Sequence, residues 1–222
     1  MVIKSFEMNS LKLKNLIILV YFLSNYSFSQ NIKNSNSGKK EISILFIGNS
    51  LTYFNNLPRL IKRSMNQEKV KLNIEMVAYP KYTITDHWNG GRVQKIISDK
   101  KPSFVILQQG PSSSLDEKQT LIEIGKKFKQ ICNINNTKLC YFMVWPARKN
   151  YNDFDKVIIN YSEAAEVNNA ILLQVGKKWK NHFDLNNKYD YYSKDGYNPS
   201  LKGSRIAANI ISNKLLKEIR NN

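Results

Sequence analysis

The sequence predicts an α/β domain in which one parallel sheet is covered by helices on both faces. Three observations carry this. Five short apolar runs alternate along the chain with stretches of helical periodicity. The chain has 222 residues, enough for one domain with a proper core, and is 42% hydrophobic and 11% aromatic, a globular composition. No internal repeat and no second hydrophobic pattern mark a further domain.

The elements follow in order. Apolar runs of strand length are expected at 42–47, 70–78, 103–109, 139–145 and 170–175. Helical patterns are expected between them, at about 58–68, 84–98, 116–132 and 153–167. A last helix is expected over about 199–218, where Ile206, Ala207, Ile210, Ile211, Leu215 and Ile219 recur near helical spacing. In a parallel sheet of this kind ligands sit beyond the carboxyl ends of the strands. The informative residues are therefore Gly48-Asn49-Ser50, Tyr79-Pro80-Lys81, Gln109-Gly110-Pro111-Ser112, Trp145-Pro146-Ala147 and the "DGYNPS" segment that begins at Asp195.

The first 29 residues follow another plan. Lys12 and Lys14 precede the apolar run Leu16 to Leu23, and the small residues Ser27 and Ser29 flank Phe28. A charged region, an apolar region and a small-x-small site are the parts of a secretory signal peptide, and the run is short for a membrane span. The expectation is export to the periplasm or the medium, with a polar, flexible tether over 30–41 and the folded domain over 42–222. No integral membrane segment is expected in the mature chain.

The formal net charge is +17. Such a balance favours anionic surfaces, and anionic envelope polymers are candidate partners. Lysine is spread along the chain, without a basic run interleaved with aromatics, so no nucleic-acid partner is expected. Cys132 and Cys140 lie close in sequence, and both a disulfide and two buried thiols fit an exported chain. Two cysteines and two histidines this scattered do not make a zinc site, and no metal is expected.

Ser50 deserves a reason. An apolar run that stops at Gly48 and turns at once into a helix lifts the Ser50 hydroxyl to the sheet edge. There the first free N–H groups of the helix point at whatever binds. The position suits a nucleophile, and it also suits a helix cap.

Taken together, "FIGNSLT", "YPKYTITDHW", "VILQQGPSS", "FMVWPAR" and "DGYNPSLKGS" resemble, in order and spacing, the motifs of the SGNH (GDSL-type) hydrolases, in particular a bacterial exported branch. The resemblance covers about residues 42–218. It implies a flavodoxin-like three-layer sandwich with a five-stranded parallel sheet, and ester hydrolysis without metal or cofactor. Small-molecule or glycan esters are the implied substrates.

The resemblance also assigns roles. Ser50 takes the nucleophile position and its N–H that of an oxyanion donor. Lys81 stands where a glycine N–H is usual. A backbone donor survives this change, but a turn with φ > 0 would strain a lysine. Ser112 stands where an asparagine side chain is usual, with a loop cap as its other reading and Gln109 as an alternative donor. Asp195 holds the position of the aspartate that assists the base. The base itself is a histidine in the family, and here that position holds Asn198. A carboxamide holds hydrogen bonds but has no lone pair basic enough to take a serine proton near neutral pH.

His87 and His182 are the available imidazoles, read respectively as a helix residue packed beside Trp88 and a surface residue near a helix end. Tyr79, Tyr82, Trp88 and Trp145 are candidates for stacking on sugar rings, with core or rim packing as the alternative. Gln109 and Trp145 are the expected ligand contacts. Two functions remain open on this reading. One is a serine esterase impaired by Asn198. The other is a pseudoenzyme that binds a carbohydrate or an acylated ligand.

Overall fold

The computed structural model describes residues 40–66 and 70–221. The expected signal peptide, and the tether up to residue 39, lie outside the described residues. Five strands form one sheet: β1 (Lys40–Gly48), β2 (Val70–Ala78), β3 (Phe104–Leu107), β4 (Lys138–Phe142) and β5 (Ile171–Leu173). Their order is β2-β1-β3-β4-β5, and every pairing is parallel. Parallel strands need long crossovers, so each connection is helical. The helices are α1 (Ser50–Tyr53), α2 (Leu57–Ser64), α3 (Ile84–Asn89), α4 (Arg92–Lys100), α5 (Leu115–Ile134), α6 (Phe154–Val167), α7 (Val175–Asn186) and α8 (Leu201–Arg220). On one side α2 packs against α8, and on the other α4, α5 and α6 pack in succession. This is the flavodoxin-like arrangement, whose strand order reverses between β1 and β3.

Burial explains why the strands are so apolar. In β3 every residue from Phe104 to Leu107 is buried, as are Leu45, Phe46 and Ile47 in β1. Helices cover both faces of these central strands, so no polar alternation survives. Each fully buried side chain of this size contributes about 1.5–3 kcal/mol. Along β1 the register pairs Ile47 with Leu107 and Gly48 with Ala78, which brings the carboxyl ends of three strands level.

The structure departs from the expected elements in three places. The helix expected over 84–98 is two helices, because the chain turns at Gly90-Gly91 and Gly91 has φ +71°. The fourth strand ends at Phe142, and its apolar sequence runs on to Trp145 as buried chain outside the sheet. Helix α7 was not expected. Its buried face is Val175, Gly176, Trp179 and Phe183, and the four-residue steps Val175–Trp179–Phe183 are its sequence signal. Polar residues between those steps dilute the pattern. Both cysteines are free and buried, and burial pushes the Cys132 thiol up to about 12. Among the described residues no helix is long and apolar enough to cross a membrane.

Gly48 sets how closely β1 and β3 can deliver their ends. A Cβ there would lie 2.5 Å from both Gln108 Oε1 and Thr52 Oγ1, and 2.9 Å from Gln108 Cβ. Gly48→Ala must therefore push the Gln108 side chain out of its place. The expected loss is about 1–3 kcal/mol of unfolding free energy, measured by urea titration. An unchanged midpoint would show that Gln108 moves freely.

Candidate active site

The site forms where β1 and β3 end. Asn49 caps α1, accepting the Leu51 N–H on its Oδ1 at 3.2 Å. The Asn49 N–H donates to Gln108 Oε1 at 2.8 Å, and Thr52 Oγ1 donates to the same oxygen at 2.8 Å. Gln108 is fully buried, so its side-chain carbonyl clamps the turn from the neighbouring strand. Ser50 follows as the first residue of α1. Its Oγ has no hydrogen-bond partner among the described residues.

Three other segments are tied to this turn. Asn49 Nδ2 donates to Tyr82 O at 3.2 Å, and the Tyr79 N–H donates to Gly48 O at 3.2 Å, which hold the 79–83 loop beside Ser50. Gln109 Oε1 accepts the Ile84 N–H at 2.8 Å, joining the end of β3 to the start of α3. Asn55 Nδ2 donates to Pro199 O at 3.0 Å, joining the chain after α1 to the segment of Asp195 and Asn198. Trp145 Nε1 donates to Tyr197 O at 3.0 Å and anchors that segment from the end of β4.

Lys81 has φ +65°, the left-handed conformation that makes a lysine strained. The N–H groups of Ser50 and of Lys81 have no acceptor among the described residues. Gln109 adds a third unspent donor. Its Oε1 is fixed by Ile84, so its Nε2 faces the other way, and Nε2 has no acceptor among the described residues. Ser112 is buried, and its Oγ donates to Gly110 O at 3.0 Å. Its carbonyl accepts from Asn160 Nδ2 at 2.9 Å, so the residue is bound into the packing of α6.

Asp195 is saturated. Its Oδ1 accepts from Ser193 Oγ at 2.6 Å and from the N–H groups of Tyr197 and Asn198 at 2.8 and 2.9 Å. Its Oδ2 accepts from Asn198 Nδ2 at 2.7 Å. Partial burial pushes its pKa up. The donors from Ser193, Tyr197 and Asn198 outweigh this and hold it at about 2. Such a carboxylate does not take a serine proton. Asn198 Nδ2 is committed to Asp195, so Asn198 Oδ1 points away from it, shielded from solvent and without a donor among the described residues.

Neither imidazole is bonded to Ser50. His87 is buried, with Nε2 2.7 Å from Gly48 O, and a carbonyl at that distance requires Nε2 to carry the proton. Tyr79 and Tyr82 pack on its ring at centroid distances of 5.8 and 5.2 Å. His182 Nε2 lies 2.9 Å from Asp190 Oδ1, and its ring stacks on Tyr191 at 4.1 Å. Among the expected ligand-stacking aromatics, Tyr82 is 41% exposed and Trp88 packs edge-on against Phe128. Trp145 is a core residue: it is 1% exposed and stacked on Trp179 at 3.6 Å, so no sugar reaches its face. The sequence reading did not single out Gln108. Its adjacency to Gln109, with one side chain on each side of the strand, was the available signal.

Two outcomes are expected. Lys81→Gly relieves the left-handed strain and should raise stability by about 1 kcal/mol in urea titration, while the N–H at this position is kept. A destabilised variant would mean that the lysine stem contributes more than the strain costs. The second concerns His87, whose pKa burial holds below the ordinary 6.5 although Gly48 O and Asp86 pull it up. The unfolded chain then binds a proton that the folded chain does not. The His87 contribution is complete above pH 6.5 and is lost as pH falls through its folded value. The stability loss on going from pH 7.5 to 5 should be smaller in His87→Gln, which keeps a donor for Gly48 O. Identical slopes for the two proteins would count against this assignment.

No family model and no curated protein matches the sequence. Solved structures do match. A Slackia heliotrinireducens protein assigned to the SGNH hydrolases superposes with a TM-score of 0.69 at 20% identity, covering 79% of this chain and 100% of that one. A lipase/acylhydrolase from Enterococcus faecalis gives 0.65 at 17% identity, over 80% and 96% of the two chains. A family 3 carbohydrate esterase from Clostridium thermocellum gives 0.62 at 16% identity, over 82% and 98%. The protein therefore has the fold of these hydrolases over about four fifths of the chain.

Proposed function

We propose that the protein is a serine ester hydrolase of the SGNH type, acting on acyl or acetyl esters that include carbohydrate-linked ones, and that its turnover is impaired by Asn198. One observation carries the reading: the segments bearing three unspent donors, the N–H groups of Ser50 and Lys81 and Gln109 Nε2, are hydrogen-bonded to or follow the turn that presents Ser50 and the start of α3, and the Ser50 hydroxyl is itself unbonded among the described residues. Donors gathered in this way stabilise the oxyanion that forms when a serine adds to an ester carbonyl. Gln109 supplies the side-chain donor in this reading, because the Ser112 hydroxyl is spent on Gly110 O. The fold neighbours, which include a carbohydrate esterase, are consistent with an ester as ligand.

The chemistry then falters at the proton. Serine must lose one as it attacks, and the leaving alcohol must gain one. Asn198 can do neither, and Asp195 is held at about 2. Losing the base of a serine triad costs on the order of 10⁴–10⁶ in turnover, while an intact oxyanion site keeps roughly 10³ over water. A second reading, a protein that binds the acylated ligand without turning it over, is favoured by the engagement of both imidazoles away from Ser50.

Hydrolysis of p-nitrophenyl acetate distinguishes them. The unmodified protein should be little faster than Ser50→Ala. Asn198→His should raise the rate by ~10² or more, because an imidazole at this place donates to Asp195 through one nitrogen and presents the other to Ser50. Robust turnover in the unmodified protein that Asn198→His leaves unchanged would place the base elsewhere and refute the proposal.

A further inference from the structure

Beside the Asp195 turn lies a cleft of ≈ 800 Å³ lined by Ala147, Arg148, Lys149, Lys194, Asp195, Gly196 and Tyr197. Three of these residues are cationic. Arg148, Lys149 and Lys194 are exposed, and none has an ion-pair partner among the described residues. Other surface lysines, Lys62, Lys101 and Lys126 among them, also lack an ion-pair partner among the described residues; what sets Arg148, Lys149 and Lys194 apart is that one cleft gathers them. The one acid lining the cleft is Asp195, and its two oxygens already receive four hydrogen bonds. Its negative charge offsets one of the three cations, so the lining keeps an excess of positive charge.

The walls are held in place. The Arg148 N–H donates to Gly196 O at 2.7 Å, Tyr192 OH donates to Pro146 O at 2.8 Å, and Trp145 Nε1 reaches Tyr197 O. These bonds join the loop after β4 to the turn that carries Asp195 and Asn198. The Arg148 guanidinium lies over the Tyr189 ring, 4.5 Å from its centroid, which restricts the side chain. A cleft that gathers three cations against one acid, with one guanidinium restrained over a ring, suits an oxyanion.

We propose that this cleft is a subsite for an anionic group, a carboxylate or a phosphate, carried by the ligand that enters the Ser50 site. The inference rests on the ester-site reading for what is held at Ser50, and on the cleft alone for the anion. It narrows the ligand to an ester on an acidic molecule, such as an acidic oligosaccharide. Neutral esters would lack the contact that holds them against the Asp195 turn. The charge spread over the rest of the protein gives a uniform attraction, whereas the cleft gives a localised one.

Equilibrium binding of unesterified probes separates the cleft from the chemistry at Ser50. The probes are a galacturonate hexamer for the carboxylate, tripolyphosphate for the phosphate, and xylohexaose as the neutral control, titrated by calorimetry at fixed ionic strength. At least one anion should bind while xylohexaose does not, and the tighter anion identifies the group. The variant Arg148→Gln/Lys149→Gln/Lys194→Gln should weaken that binding at least tenfold. A charge-matched control, Lys62→Gln/Lys101→Gln/Lys126→Gln, alters three exposed lysines outside the cleft and should change it less than twofold. The proposal is overturned if neither anion binds, or if the control variant weakens binding as much as the cleft variant. Should Asn198→His fail to hydrolyse any ester while the cleft variant alone loses the anion, the subsite stands and the ester reading falls.

Discussion

The side-chain carbonyl of Gln108 is the constraint on which the site depends. It leaves the end of β3 and receives two donors from the next strand's turn, the Asn49 N–H and Thr52 Oγ1. A buried carbonyl with two donors is costly to leave unsatisfied, so the turn has little freedom to drift. The same contact dictates Gly48, because any Cβ would occupy the space the amide needs. It also dictates the direction of α1, whose first residue is Ser50. His87 supports the turn from the far side through Gly48 O. The serine is thus positioned by groups that are themselves buried.

The Asp195–Asn198 pair can be set beside the way a serine triad works. In a working triad the aspartate orients an imidazole and stabilises its charged form. Here Asp195 orients a carboxamide by accepting from Asn198 Nδ2. The partner, however, never becomes charged. Asp195 draws its stabilisation from Ser193 and two backbone N–H groups instead, which keeps it ionised whether or not chemistry occurs. The hydrogen bonds of this turn therefore hold without any group in it that could carry a proton near neutral pH.

Much of the fold was legible because a parallel sheet announces itself. Strands buried on both faces read as short apolar blocks, and the crossovers between them need helices long enough to show periodicity. Helix α7 was missed because its apolar steps at Val175, Trp179 and Phe183 are separated by lysines and asparagines, and because it follows β5 without a turn residue. The left-handed backbone at Lys81 was legible from the mismatch with a usual glycine. Trp145 misled for a physical reason. A tryptophan at a strand end can face either the ligand or the core, and only the stack with Trp179, 34 positions along the chain, decides between them. Partners so distant in sequence leave no local signal. The same holds for Ser112, whose hydroxyl turned inward to Gly110 O.

Lys81 bears on whether the binding half of the site is under constraint. A non-glycine residue in left-handed backbone persists only where its surroundings over-determine it. At Lys81 the surroundings are visible. Tyr79 is bonded through its N–H to Gly48 O, and Tyr82 through its carbonyl to Asn49 Nδ2, so the residue between them has its backbone set from both sides. Both anchors belong to the turn that presents Ser50. The loop is therefore held against the Gly48-Asn49 turn at an energetic cost. Lys101 also takes positive φ, but at the end of α4, where it closes a helix; at Lys81 the same conformation is imposed by the two bonds that hold the loop to the Gly48-Asn49 turn.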